Sequence, residues 1–189
     1  SDSVRDMILR NLAAAGAAIA LLASTPAFAE LPSGARAPDF AAKGALAGKP
    51  VSFSLKQALK KGPVVLYFYP KAFTQGCTLE AHAFAEASDQ FKAAGATVVG
   101  MSNDDIATLQ KFSTEACRDK FAVAAASPAV IKAYDVDLVR EGKSTGLTKR
   151  TSYVIARNGT VAMVHSDMDY RDHVKMTLDA VRKIKGRKS

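Results

Sequence analysis

The sequence predicts an α/β protein in which a mixed β-sheet carries helices on both faces. Two short apolar runs, Val64–Tyr69 and Ala96–Met101, indicate buried central strands. A helical pattern follows each run, so the two strands are expected to be parallel. Farther along, Asn158-Gly159 separates two strand-like segments and indicates an antiparallel hairpin that closes the sheet.

Start and stop signals place the remaining elements. Pro70 ends the first central strand, Gly95 is a stop signal for the helix before it, and Ser54 and Asp104 can cap the helices that follow them. Residues 135–149 are polar and irregular, and no element is predicted there. In order, the other expected elements are a loop at 34–40 that enters a short strand, a small strand at 51–53, a helical turn at 54–60, a long helix from Thr74 or Cys77 to Ala94, a helix at 104–120, a weak strand at 121–126, a short helix opening at Pro128, hairpin strands at 151–156 and 160–165, and a last helix at about 168–185.

The composition is that of a basic globular protein and excludes several functional classes. The chain has 189 residues, and 26 Lys and Arg against 18 Asp and Glu give a net charge of +8. Two cysteines are too few for a disulfide-dense scaffold or a four-thiolate zinc site. No apolar run reaches the ~20 residues of a membrane-spanning helix, so stable membrane insertion is not expected. Tryptophan is absent and other aromatic residues are few, so nucleic acid is not an expected partner.

Residues 1–29 have the pattern of a cleavable signal peptide. Met7 resembles a natural start, a short apolar stretch runs from Leu12 to Ala23, and Ala27-Phe28-Ala29 gives the small-x-small sequence that a signal peptidase cuts after. Residues 1–6 are then expected to precede the natural start, and one domain is expected at 30–189. Export would place the protein in an oxidising compartment, and a bacterial periplasm is expected.

Cys77 follows a buried strand and falls in the first turn of the long helix. Unpaired backbone N–H groups and the positive end of the helix dipole stabilise a thiolate there, and the thiolate is the reactive form of cysteine. Thr74 can point its hydroxyl at the same pocket, and Pro70, which has no N–H, can shield that pocket from water. Placement alone leaves an inert, buried thiol as the alternative.

Four segments resemble motifs of the peroxiredoxin family. The sequence PKAFTQGC at 70–77 matches the pattern P-x-x-x-T-x-x-C. The flanking sequences YFYPK at 67–71 and GCTLEA at 76–81 are similar to the PrxQ, or bacterioferritin comigratory protein, subfamily. The loop GARAPDF at 34–40 resembles G-x-x-A-P-x-F, and RTSYVIA at 150–156 resembles a strand R-x-T-F-V-I-D in which Ala156 replaces the aspartate.

This resemblance implies a thioredoxin-like fold and a thiol-dependent peroxidase that reduces hydrogen peroxide and organic hydroperoxides. It implies that Cys77 is the peroxidatic thiolate, that Thr74 hydrogen-bonds the peroxide, and that Arg150 stabilises both the thiolate and the leaving oxygen. Glu80 could close a capping box or orient nearby donors. The enzyme is expected to need no cofactor and no metal, to work as a monomer, and to be reduced by a thioredoxin-like or glutaredoxin-like protein.

The resemblance also suggests a role for the second cysteine. Many PrxQ members carry a resolving cysteine five residues after the first, but this chain has His82 there. Cys117 resembles the resolving cysteine of members that carry it in the later helix, which implies an intramolecular Cys77–Cys117 disulfide formed after local unwinding. Two alternatives stay open: Cys117 could simply pack in the core, or the disulfide could be a permanent staple.

Two other function classes compete with the peroxidase. The same thiols could serve a non-enzymatic redox sensor, or the fold could carry a metal ion. The metal carrier would need ligands beside Cys77, whereas His82, His165 and His173 are expected to have surface or packing roles. The basic residues that end the last helix complement its dipole, although they could also attract an anionic lipid surface or an acidic partner.

Overall fold

A computed structural model describes residues 30–187. The leader predicted at 1–29 lies outside these residues. Nine strands and six helices occur in the described part of the chain, and none of these helices is long and apolar enough to cross a membrane. In order they are β1 (Ala41–Leu46), β2 (Lys49–Ser54), α1 (Leu55–Leu59), β3 (Val64–Phe68), α2 (Gln75–Glu86), α3 (Ser88–Ala93), β4 (Thr97–Ser102), α4 (Ile106–Glu115), β5 (Ala122–Ala125), α5 (Pro128–Ala133), β6 (Asp137–Arg140), β7 (Lys143–Thr148), β8 (Thr151–Ile155), β9 (Val161–Ser166) and α6 (His173–Gly186).

The predicted mixed sheet is confirmed. Seven strands pair in the order β2-β1-β5-β4-β3-β8-β9. Strand β4 is parallel to both β3 and β5, whereas β8 is antiparallel to β3 and to β9. The hairpin predicted at Asn158-Gly159 therefore closes one edge of the sheet, as the sequence indicated.

Strand β3 lies at the centre of two hydrophobic cores, one on each face of the sheet. Successive side chains of a strand point to opposite faces, and all five residues of β3 are buried. Val65 and Tyr67 join a core that includes residues of α2, α3, α4 and α6. Val64, Leu66 and Phe68 join a second core with residues of α1 and α5. Helices therefore cover both faces, as predicted.

Several helices differ from their predicted bounds. The last helix begins at His173 rather than near Met168. The long helix is divided at Ala87 into α2 and α3, although Gly95 ends it in a left-handed conformation as expected. Helix α4 ends at Glu115 rather than near Lys120, because Arg118 and Asp119 both have positive φ angles. Cys117 therefore lies in a turn after the helix.

The segment 135–149, predicted to be irregular, contains the two-stranded sheet β6–β7. Arg140 pairs with Lys143 across a two-residue turn in which Glu141 and Gly142 both have positive φ angles. Such turns match the twist of a hairpin, but they are usually signalled by Asn-Gly or Asp-Gly rather than Glu-Gly. A clear turn signal is therefore missing from this part of the sequence.

Candidate active site

Cys77 is buried in the first turn of α2, the helix that follows the central strand β3. Strand β3 ends at Phe68, half-buried Pro70 follows, and Thr74 is the extended residue that precedes the helix. Phe73 has a φ angle of 67°, so the chain turns sharply just before Thr74. Cys77 is the third residue of α2 and is 1% exposed, so it lies in the first turn, where backbone N–H groups lack partners within the helix.

Arg150 comes from just before β8 and reaches the sulfur of Cys77. Its Nη2 donates to Sγ at 3.6 Å, and its Nε donates to the carbonyl oxygen of Met168 at 2.8 Å. A Cβ at Gly76 would lie 3.0 Å from Nη2, so glycine at this position leaves room for the guanidinium. Burial opposes the charge of Arg150, but Glu80 and Cys77 outweigh that effect and raise its pKa. The predicted pairing of Arg150 with Cys77 is present in the structure.

Thr74 and Pro70 lie on the segment that leads into Cys77, but neither forms a hydrogen bond to its sulfur as Arg150 does. Thr74 is exposed, and its hydroxyl donates to the carbonyl oxygen of Lys71 at 2.8 Å. Its oxygen is thereby left as an acceptor. The side chain of Thr74 accepts no capping hydrogen bond from the N–H groups of the helix that it precedes. Its geometry suits acceptance of a hydrogen bond from a bound hydroxyl group.

Asp104, two residues after the end of β4, supports this turn. The sequence suggested Asp104 as a helix cap, and this prediction is wrong, because Asp105 caps α4 by accepting from the N–H of Thr108 at 2.8 Å. Asp104 instead accepts from the N–H of Ala72 at 2.8 Å and from the hydroxyl of Ser102 at 2.7 Å. It thus ties the segment before Thr74 to the end of β4.

Glu80 lies behind Arg150 and is fully buried. Its Oε2 accepts from Nη1 of Arg150 at 2.5 Å, so of the two suggestions for this residue the structure supports the orientation of a donor, not a capping box. Its Oε1 has no hydrogen-bond partner among the described residues and lies 3.7 Å from Nδ1 of His173. Burial raises the pKa of Glu80 to about 8, although the charge of Arg150 acts in the opposite direction.

His173 completes this buried group, whereas the sequence indicated only a surface or packing role for it. Its Nδ1 lies 2.8 Å from the hydroxyl of Ser152, and its Nε2 lies 2.8 Å from the carbonyl oxygen of Asp167. Burial lowers the pKa of His173 to about 4. Spacing alone could have indicated its burial, because Thr177 and Val181 follow at four-residue intervals on the same face of α6. Spacing could not have indicated its partners.

Cys117 is a free thiol in the turn after α4 and is fully buried. It belongs to the same hydrophobic core as Cys77, which is also free, so no disulfide joins them in this structure. Burial raises the pKa of Cys117 well above its usual range. Its thiol is therefore protonated and inaccessible in this conformation, and reaction with Cys77 would require the turn to open.

The histidines do not form a metal centre in the described part of the chain, where no three or more His, Cys, Asp or Glu side chains are grouped to hold an ion. The ring of His165 packs against His173 with centroids 4.5 Å apart. His82 lies half-buried on α2. Packing roles fit both of these residues.

Comparison with known proteins gives a consistent result. Residues 33–164 match the AhpC/TSA family. The chain is 33% identical over 159 residues to the chloroplastic peroxiredoxin Q of Sedum lineare, which covers 84% of this chain and 82% of that protein. It is 36% identical over 152 residues to the chloroplastic peroxiredoxin Q of Arabidopsis thaliana, covering 80% of this chain and 67% of that protein.

Solved structures agree with the sequence relatives. The peroxidoxin BcpB of Mycobacterium tuberculosis superimposes with a TM-score of 0.73 at 31% identity, covering 82% of this chain and 98% of that chain. A structure of the Xanthomonas campestris bacterioferritin comigratory protein, described for its alkyl peroxide reduction activity, gives a TM-score of 0.66 at 25% identity. It covers 76% of this chain and 91% of that chain.

Proposed function

Because the chain belongs to the AhpC/TSA family, and within it to the PrxQ or bacterioferritin comigratory protein type of peroxiredoxin, we propose that Cys77 is the sulfur on which its thiol peroxidase activity depends. The observation that carries this assignment is the 3.6 Å contact between Nη2 of Arg150 and Sγ of Cys77. A buried guanidinium at the mouth of a helix favours the negatively charged sulfur. The redox sensor and the metal carrier are not favoured, because the relatives are peroxiredoxins.

In the first step, the thiolate of Cys77 attacks one oxygen of the hydroperoxide and the O–O bond breaks. The sulfur gives up two electrons and becomes a sulfenic acid, and the leaving oxygen takes a proton from solvent to give an alcohol or water. Arg150 supplies donors aimed at the charge that develops on the leaving oxygen. Thr74 accepts a hydrogen bond from the peroxide O–H, and Pro70 shields the sulfur from water.

In the second step, Cys117 attacks the sulfenic acid, a disulfide forms and water leaves. A thioredoxin-like or glutaredoxin-like protein then reduces the disulfide. The backbone beside Cys117 favours the opening that this step needs, because Arg118 and Asp119 have φ angles of 51° and 62°. Residues held in the left-handed region store strain that unwinding releases. If Cys117 only packs in the core, an external thiol would reduce Cys77 directly.

Organic hydroperoxides are the proposed substrates beside hydrogen peroxide. Three exposed apolar side chains lie on segments that adjoin the site: Phe73 just before Thr74, Leu79 on the first turns of α2, and Met168, whose carbonyl oxygen accepts from Arg150. An alkyl group could rest against such side chains. The alkyl peroxide reduction described for the Xanthomonas campestris relative supports the same substrate class.

We also propose that the protein is exported, with a signal peptide at 1–29 and a domain at 30–189, and acts in a bacterial periplasm as a monomer. The sequence pattern Ala27-Phe28-Ala29 supports cleavage before Glu30. An intramolecular disulfide needs no second subunit. N-terminal sequencing of the protein recovered from the producing cell's periplasm, followed by gel filtration, tests the three statements together. An intact leader, a cytosolic location or a stable oligomer would contradict the corresponding statement.

Consumption of hydrogen peroxide with dithiothreitol as the reductant tests the central assignment. Cys77→Ser should remove catalysis, because the nucleophile is lost. Cys117→Ser is the matched control, since it removes the other thiol and leaves the site intact, and it should retain turnover with this small reductant. Catalysis by Cys77→Ser at the wild-type rate would overturn the assignment.

A further inference from the structure

The single buried positive charge of Arg150 lies between two groups that can each become an anion. Nη2 of the guanidinium faces the sulfur of Cys77 at 3.6 Å, and Nη1 faces Oε2 of Glu80 at 2.5 Å. All three side chains are 6% exposed or less. One cation cannot fully balance two buried anions. The ionic state of Glu80 therefore determines how strongly Arg150 stabilises the thiolate of Cys77.

The surroundings of Glu80 suit a neutral acid better than a carboxylate. An ionised carboxylate needs hydrogen-bond donors at both oxygens when it is removed from water. Oε2 has such a donor in Arg150, but Oε1 has none among the described residues. A proton on Oε1 would remove the buried negative charge and would leave the contact between Oε2 and Arg150 intact.

The tautomer of His173 determines whether Oε1 of Glu80 faces an N–H group or a lone pair. The carbonyl oxygen of Asp167 can only accept, so Nε2 of His173, at 2.8 Å, must be the nitrogen that carries the proton. In the neutral ring Nδ1 then presents a lone pair, which accepts from the hydroxyl of Ser152 at 2.8 Å. That lone pair also lies 3.7 Å from Oε1 of Glu80. It repels a carboxylate oxygen and attracts a protonated one.

The other ionisable groups near Glu80 do not reverse this preference. Arg150, the residue before β8, is the cation that faces Glu80, and it acts in the opposite direction to burial; Cys77 precedes Glu80 on the same helix. Tyr67 from β3 also lies within electrostatic reach, and burial is the main cause that raises the pKa of its hydroxyl well above the usual range, so it stays neutral. His165 from β9 contacts the ring of His173, not Glu80. Burial, which raises the pKa of Glu80 to about 8, acts in the same direction as His173.

We propose that Glu80 is a protonated carboxylic acid in the resting protein and that His173 stabilises this state. The positive charge of Arg150 is then balanced by the thiolate of Cys77 alone. The proposal rests on the assignment of Cys77 and Arg150 given above. Glu80 and His173 are positioning residues in it, since neither touches the peroxide. When Glu80 loses its proton, it competes with the thiolate for the same guanidinium.

Glu80→Gln tests the charge of Glu80, because an amide reproduces the shape and the neutral charge of the protonated acid. In the Cys117→Ser background the ultraviolet absorbance of the thiolate reports Cys77 alone. We expect the ratio of thiolate to thiol at neutral pH to change by less than about threefold. If Glu80 is ionised, its replacement removes a buried negative charge near the sulfur and should raise that ratio by more than about tenfold, which would overturn the proposal.

Infrared spectroscopy reads the proton on Glu80 directly. As the pH is raised through 8, the wild type should lose a protonated carboxyl C=O band that Glu80→Gln lacks. His173→Asn should lose this band at lower pH, because an amide can turn its N–H toward a carboxylate and histidine in its present tautomer cannot. His165→Asn is the matched control and should leave the band unchanged. A missing band in the wild type, or an unshifted band in His173→Asn, would refute the role of Glu80 or of His173 respectively.

These outcomes are separate from those that test the peroxidase assignment. If Cys77→Ser retains turnover, the assignment of Cys77 fails, whatever the infrared band shows. If Cys77→Ser is inactive and the band is absent, only the protonated state of Glu80 fails.

Discussion

Arg150 and Cys77, 73 positions apart in the sequence, meet in the fold with Nη2 3.6 Å from Sγ. The contact depends on the sheet, because β8 pairs with β3 in antiparallel register and brings the residue before β8 beside the turn that follows β3. Nε of Arg150 is bonded to Met168 and Nη1 to Glu80, so the guanidinium is fixed in orientation before any peroxide arrives. Preorganised donors of this kind need no rearrangement during the reaction.

Arg150→Lys should slow the reaction of Cys77 with peroxide on the order of a hundredfold, because a lysine cannot donate to the sulfur, Glu80 and Met168 in one planar arrangement. The rate is measured by stopped-flow mixing with hydrogen peroxide, and stability is measured by urea unfolding. Arg157→Lys is the control, since Arg157 is exposed and donates to the carbonyl oxygen of Lys60. Equal loss of rate in both variants would contradict the role of Arg150.

Asp104 and Asp105 offer a matched pair that separates support of the site from support of the fold. Asp104→Ala frees the N–H of Ala72 and should lower peroxidase activity more than about tenfold, since the turn before Thr74 loses its anchor. Asp105→Ala removes the cap of α4 and should lower the free energy of unfolding with little change in activity. Steady-state assays and urea unfolding of both variants measure this. The reverse pattern would show that Asp104 does not support the site.

Much of this architecture follows from local patterns in the sequence. The apolar run that became β3, the Asn158-Gly159 hairpin and the position of Cys77 at a helix start were all predicted, because each depends on neighbouring residues. Ser54 likewise caps its helix by accepting from the N–H of Gln57. The pairing of Arg150 with Cys77 came from a resemblance between motifs rather than from local pattern.

Other features depend on contacts between distant residues or on uncommon backbone angles. His173 and Glu80 are brought together by the packing of α6 on α2, which no spacing rule reveals. The end of α4 depends on positive φ angles at Arg118 and Asp119. A glycine would have signalled such angles in the sequence, whereas arginine and aspartate do not. Cys117 was therefore expected in a helix, whereas it lies in a turn.

Treatment with peroxide should join Cys77 to Cys117 within one chain. Mass spectrometry of the digested wild type should show the linked peptides, and Cys117→Ser should undergo one round of oxidation without forming the link. The reduced protein should also show slow alkylation of Cys117, because its thiol is buried and protonated. Absence of the linked peptides after oxidation would show that Cys117 does not resolve Cys77.

The buried acid and the buried imidazole make opposite contributions to stability as the pH changes. The pKa of Glu80 is raised from 4.5 to about 8, so its contribution to stability is lost as the pH rises through that range. The pKa of His173 is lowered from 6.5 to about 4, so its contribution is lost as the pH falls from 6.5. The two effects oppose one another between pH 4.5 and 6.5, and only that of Glu80 acts between 6.5 and 8.

The free energy of unfolding should therefore fall by about 2 kcal/mol between pH 6.5 and 8 through Glu80 alone. Urea unfolding in the Cys77→Ser background measures this without a contribution from the sulfur. Adding Glu80→Gln should remove the decline, because the amide does not titrate. The same decline in both proteins would mean that another group causes it.

Locating the sulfenic acid that forms first tests most directly whether Cys77 is the attacking thiol. Each single-cysteine variant is reduced, mixed with one equivalent of hydrogen peroxide in the presence of dimedone, digested and analysed by mass spectrometry. We expect rapid dimedone labelling of Cys77 in Cys117→Ser and no comparable labelling of Cys117 in Cys77→Ser. Rapid labelling of Cys117, or none on Cys77, would contradict this expectation.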